Sequence, residues 1–113
     1  PMLVTASKPN CSASETFRAA RTSLLFAAQK SGGKVFLFTS PSPGDGKSTT
    51  TCNLAVSLAQ AGKRVALVDA DFRRPRVQTY FNLQFEPGII NVISKEATIE
   101  QALRPTEIQP NLY

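Results

Sequence analysis

Pro41-Ser42-Pro43-Gly44-Asp45-Gly46-Lys47-Ser48 is the stretch on which the fold turns. It separates an apolar run, Val35 to Phe38, from a segment with helical periodicity between about Lys47 and Gln60. Strand, glycine-rich loop and helix in that order are the context in which a phosphate-binding loop operates. Successive backbone N–H groups in such a turn point inward and form an anion nest, and the following helix adds the positive end of its dipole. Gly44 and Gly46 permit the turn and a close approach, Lys47 supplies charge to β and γ phosphates, and the Ser48 hydroxyl is suited to ligate Mg²⁺. The full GxxxxGK[ST] pattern asks for glycine at position 41, where this chain has Pro41. The nucleotide-binding set is therefore Pro43, Gly44, Asp45, Gly46, Lys47, Ser48 and Thr49.

Past the loop, Leu54, Val56, Leu58 and Ala61 supply apolar positions for the helix, and Gly62 suits the left-handed residue that closes it. Val65 to Val68 reads as a second buried strand. Strand, loop, helix and strand then make a βαβ unit with parallel strands and a right-handed crossover. The expected class is α/β, a three-layer sandwich of the P-loop NTPase type around a mostly parallel sheet.

Upstream, Pro1 to Cys11 has no periodicity and reads as a loose lead-in, so residues 1–12 are set apart from a domain spanning 13–113. Ser12 or Ser14 can cap an amphipathic helix from about Ala13 to Gln29, whose apolar face is Phe17, Ala20, Leu24, Leu25 and Ala28, and Ser31-Gly32-Gly33 ends it. Downstream, Val77 to Phe81 and Gly88 to Ile93 read as short helical turns. Thr98 with Gln101 resembles a capping box, and Asn111 to Tyr113 as the start of a strand. The chain opens at Pro1 without an initiator and stops at Tyr113, so a partial domain is expected, ending before the strand that would carry the Walker B acid.

Asp69-Ala70-Asp71 ends the second strand, where parallel sheets place their ligand sites. A carboxylate there can hold Mg²⁺, and a second can orient or deprotonate an attacking group. An acid ending a strand also caps the next helix. Lys47, Asp69 and Asp71 are the candidate catalytic residues, with Ser48 and Asp69 as candidate metal ligands. Arg73 and Arg74 fit either phosphate contact or a solvated surface. Glu15, Arg18 and Arg21 share one helix face, where spacing alone gives an ion pair worth ~0.3 kcal/mol.

The net charge of +5 is spread over small basic groups without a long basic run, which argues against a nucleic-acid partner. No apolar run approaches the ~20 residues needed to cross a bilayer. Two cysteines without histidine make neither a disulfide framework nor a zinc site, which points to a reducing, cytoplasmic setting. Cys52 is expected to be buried, Tyr80 to be a packed aromatic.

Taken in order, Glu15-x-x-Arg18-x-x-Arg21, Pro43-Gly44-Asp45-Gly46-Lys47-Ser48-Thr49, Val65-Ala66-Leu67-Val68-Asp69-Ala70-Asp71 and Phe72-Arg73-Arg74-Pro75 resemble the bacterial tyrosine kinases of capsule and exopolysaccharide export. The resemblance covers nearly the whole chain. It implies that the loop and the Walker A′-like aspartates bind ATP and Mg²⁺. It implies that Glu15, Arg18 and Arg21 contact the next subunit of a ring-like homo-oligomer, and that tyrosines on a neighbour's tail are phosphorylated. It further implies a transmembrane polysaccharide co-polymerase or activator, fused or separate, which would hold the protein at the inner face of the membrane. A partitioning or cell-division ATPase is the nearest rival. Those proteins carry a signature lysine early in the loop, where Ser42 stands here. A catalytically silent nucleotide sensor that regulates polymer assembly is the alternative of a different class.

Overall fold

The computed structural model describes residues 3–39 and 46–113, so Pro43, Gly44 and Asp45 of the phosphate loop lie outside the described residues. Among the described residues six helices follow one another: α1 (Val4–Ser7), α2 (Ser12–Ser31), α3 (Lys47–Gln60), α4 (Val77–Tyr80), α5 (Ile89–Ile93) and α6 (Ile99–Ala102). Helix α3 is the hub. Cys52 to Ser57 and Ala59 are all buried, and α1, α2 and α4 pack against this helix. One apolar cluster joins Leu3, Cys52, Ala55, Val56, Ala59, Phe81 and Leu112.

Leu3 belongs to that core, so the segment read as a loose lead-in is corrected. Periodicity misses it because its anchorage is polar. Thr5, 1% exposed, is held by Asn53 of α3: its backbone N–H and its hydroxyl donate to Asn53 Oδ1 at 3.2 and 3.1 Å. Gln60 Nε2 donates to the Thr5 carbonyl at 2.8 Å. Pairing of this kind is what lets polar groups be buried at all.

Helix α2 begins one residue earlier and ends two later than its apolar pattern suggested. Its N-cap is Cys11, without a side-chain cap bond. Ser14 is instead fully buried, its hydroxyl donating to the carbonyls of Val4 at 3.0 Å and Lys8 at 2.7 Å, which ties α2 to α1. Of the expected apolar face, Phe17, Leu24, Leu25 and Ala28 are half-buried and Ala20 is exposed.

No strand ladder forms among the described residues, and the expected sheet is represented there by a single bridge. Val65 makes a parallel bridge to Leu112, with Val65 N donating to Asn111 O at 2.9 Å and Leu67 N to Tyr113 O at 2.8 Å. The strand start expected at Asn111 to Tyr113 therefore pairs with the second strand segment. Val65 and Leu67 pack toward the core while Val68 is 55% exposed, so this segment buries one face rather than two. Val35 to Phe38 is not a buried strand either: Val35 and Leu37 are 93% and 88% exposed. Apolar content marks such a run for a sheet interior, but burial needs a neighbouring strand to complete the backbone hydrogen bonds, and none of the described residues supplies one.

The remaining short elements match their sequence signals. Gly62 closes α3 at φ +87°, a conformation that costs glycine nothing. Thr98 and Gln101 form the capping box of α6. Among the described residues, no helix is long and apolar enough to cross a membrane.

Candidate functional site

Gly46 stands at the N-cap of α3 with φ +77° and ψ +15°. A side chain here would strain the backbone, so glycine is the residue that lets the chain turn from the loop into the helix. The first bond of the helix runs from Thr50 N to Gly46 O at 2.9 Å. The N–H groups of Lys47, Ser48 and Thr49 thus lack partners within the helix, and no acidic residue sits in the first turn to compete for them. A fourteen-residue helix opening this way presents a positive end suited to phosphate. Lys47 and Ser48 are half-buried and Thr49 is exposed.

The acidic segment approaches the same helix. Lys47's charge is one of the causes that hold the Asp71 carboxyl below the usual carboxylate range, after the backbone N–H groups of Arg74 and Arg73. Those N–H groups donate to Asp71 Oδ1 at 3.0 and 3.2 Å. Asp69 is bound more extensively. Its Oδ1 accepts from Asp71 N at 3.1 Å, and its Oδ2 accepts from Arg76 N at 2.9 Å and Val77 N at 3.1 Å, at the start of α4. Of the two readings that the sequence leaves open for Asp69, helix capping is realised in the structure. Cys52, buried beneath, feels the charge of Asp69: burial first and that carboxylate second push its thiol up to about 12.

Lys47, Asp69 and Asp71 are therefore brought to one end of α3. The residues fit a nucleotide with a divalent cation: a helix terminus whose first N–H groups have no partner within the helix and a lysine for phosphate oxygens, a hydroxyl at Ser48, and carboxylate oxygens on the adjacent loop. Among the described residues there is no cluster of three or more His, Cys, Asp or Glu able to hold a metal alone. A Mg²⁺ ion would accordingly share its coordination with phosphate and water, as this ion commonly does.

Glu15, Arg18 and Arg21 lie away from this site on α2. Arg18 pairs with Glu15 and donates to the Pro9 carbonyl at 2.6 Å. Arg21 spans to α3, its NH1 donating to the Ser57 carbonyl at 2.8 Å and to the Ser57 hydroxyl at 3.3 Å. Spacing foresaw the ion pair. It gave no sign of the strut to Ser57, because nothing in a local repeat encodes contact with a residue 36 positions away.

Sequence reasoning also missed how Thr49 is held. Its hydroxyl lies 2.7 Å from the Tyr80 hydroxyl, and its carbonyl accepts from Asn53 Nδ2 at 2.9 Å. Asp69 and Asp71 line a cavity of about 430 Å³ together with Phe72, Phe81, Ile90 and Leu112. Its mostly apolar lining sets it apart from the phosphate-facing end of α3.

Comparison with known proteins identifies the type of domain. The profile of the CobQ/CobB/MinD/ParA nucleotide binding domain matches residues 36–104. The tyrosine-protein kinase YwqD of Bacillus subtilis (strain 168) is 42% identical over 102 residues, covering 90% of this chain and 43% of that protein. Among solved structures, the BceF tyrosine kinase domain superposes with a TM-score of 0.88 at 39% identity, over 97% of this chain and 43% of that one. The chimerical protein CapA2B2 gives 0.83 at 34% identity, over 97% of this chain and 48% of that one. These chains carry the P-loop fold that the described residues build only in part, and the present chain spans less than half the length of each.

Proposed function

The chain belongs to the CobQ/CobB/MinD/ParA nucleotide-binding domain family, with bacterial tyrosine kinases among its relatives, and from that premise we propose that it is the ATP-binding part of a bacterial protein-tyrosine kinase. The observation that carries the reading is the open first turn of α3, with glycine at its left-handed N-cap and Lys47 acting on Asp71 beside it. ATP with Mg²⁺ supplies the transferable phosphoryl group and the divalent charge. Lys47 and the N–H groups of the first turn would bind phosphate oxygens, and Ser48 and Asp69 would hold the cation directly or through its water shell. Asp71, held ionised, orients the incoming tyrosine hydroxyl and stabilises positive charge near it. A carboxylate with a depressed pKa is a weak base, so orientation rather than proton removal is its stronger role. The acceptors are tyrosines on a neighbouring subunit of a ring-like homo-oligomer assembled through Glu15, Arg18 and Arg21. A membrane-bound activator of capsule or exopolysaccharide export, fused or separate, is the partner, with the domain on the cytoplasmic side.

The test is Lys47→Met in the longer protein that contains this chain. Phosphotyrosine should be abolished and turnover should fall more than ATP affinity, because the lysine's contact is strongest in the transition state. Unchanged phosphotyrosine overturns the assignment. The family also includes the partitioning-type ATPases. A wild type that hydrolyses ATP without ever carrying phosphotyrosine belongs with those, and one that binds ATP without either activity is a sensor.

A further inference from the structure

We propose that Tyr80 is a positioning residue for the nucleotide site, holding the first turn of α3 through Thr49; the proposal rests on the reading of that turn as ATP-binding. Tyr80 is the last residue of α4, and its ring packs against the apolar core cluster. From that fixed position its hydroxyl reaches Thr49 Oγ1 at 2.7 Å. Thr49 lies in the same turn as Lys47 and Ser48 and is also gripped from behind, where Asn53 Nδ2 bonds its carbonyl. Helix α4 is itself pinned, since Asp69 Oδ2 accepts from Arg76 N and Val77 N at its start. Asp69, α4, Tyr80 and Thr49 thus form a continuous brace between the acidic loop and the helix that faces the phosphates. An N–H group aimed at an anion contributes only when its direction is fixed beforehand, because turning it into place at binding subtracts from the affinity. The brace supplies that fixed direction, and it sets the acidic loop and the phosphate turn at a constant separation.

The experiment uses the longer protein and titrates Mg·ATP calorimetrically into wild type, Tyr80→Phe, Thr49→Val and the double variant. Tyr80→Phe keeps the ring in the core and removes only the hydroxyl. The expected result is an ATP Kd raised about two- to fivefold in Tyr80→Phe, with the melting temperature of the apoprotein lowered by no more than about 2 to 4 °C, the size of one neutral hydrogen bond. The double variant should bind no more weakly than Thr49→Val alone, since both changes break one interaction. A Tyr80→Phe Kd equal to that of wild type overturns the proposal. So does a lowered melting temperature with unchanged Kd, which marks a purely structural bond, and so do losses that multiply in the double variant. A wild type that binds no ATP overturns the reading of the loop and this inference with it, whereas normal wild-type binding with an unaffected Tyr80→Phe overturns the inference alone.

Discussion

Asp69 and Asp71 sit two residues apart, yet their hydrogen bonds divide their roles. Asp69 uses both carboxylate oxygens on three backbone N–H groups, whereas the bonds of Asp71 among the described residues all fall on Oδ1. Asparagine offers one acceptor oxygen in place of two, so Asp69→Asn must lose either the bond to Asp71 N or those at the start of α4. We expect it to cost ~1–2 kcal/mol, seen as a lower urea midpoint at unchanged slope. Asp71→Asn can keep Oδ1 on its two donors, and should leave the midpoint near wild type while, on the proposed function, turnover of the longer protein drops about tenfold or more. Equal midpoints for the two variants would contradict this division. Cys52 gives a second, independent check. Its thiol is pushed up to about 12 from an ordinary 9.0, so the unfolded chain ionises first. Stability from this group is complete below pH 9 and is lost as pH rises from about 9 to about 12, with a limiting slope of about 1.4 kcal/mol per pH unit. Replacing Cys52 with alanine should flatten that alkaline decline. At pH 8 a thiol reagent should label Cys11, whose pKa the Ser14 hydroxyl lowers, well before Cys52. The acidic pair was legible in the sequence because a strand end followed by two acids is a local pattern. Which acid would cap α4 was not, since that depends on how the loop folds back on itself.

At the scale of elements, α1 shows what a periodicity search passes over. Four residues cannot make a stable helix alone, and this one exists because its backbone and side-chain polar groups are completed by α3. Asn53→Ala removes the acceptor of the buried Thr5 N–H and one of the two acceptors of the Thr5 hydroxyl, which keeps the Asn53 backbone carbonyl at 3.3 Å, and should destabilise the protein by ~1–3 kcal/mol. Limited proteolysis should then cut between Leu3 and Lys8 first. Uniform resistance there would show that Leu3 alone holds the segment. The helices with strong local signals, α2 and α3, were readable to within two residues at each end, as were the capping box of α6 and the Gly62 terminus of α3. The strand segments were readable as apolar runs but not in their pairing. Val65 joins Leu112, and no repeat or turn in the intervening chain encodes that choice.

For the whole molecule, the arginines of α2 connect packing with assembly. Arg21 is engaged with Ser57 through NH1, so its replacement loosens α2 from α3 as well as any contact it makes with another copy. If the ring contact operates, losing a partly buried charged hydrogen bond costs about 2 to 5 kcal/mol per interface, and a ring repeats that loss at each junction. Alanine at Glu15, Arg18 and Arg21 together should therefore convert the longer protein to monomers by light scattering, with phosphorylation between subunits falling in parallel and ATP binding retained. Arg21→Ala alone separates the two effects: it should lower thermal stability whether or not the oligomer survives. An unchanged oligomer mass in the triple variant confines these residues to contacts within one chain. A last consequence follows from Leu112, which is fully buried and bridges Val65. Asn111 beside it bonds the Ala59 carbonyl 52 residues upstream, and Thr5 bonds Asn53 across 48. The core therefore closes only when both distant flanks of the chain have found α3. During synthesis, α3 must wait on the emergence of residue 112 with its apolar surface uncovered, so folding of this region is a late, long-loop event.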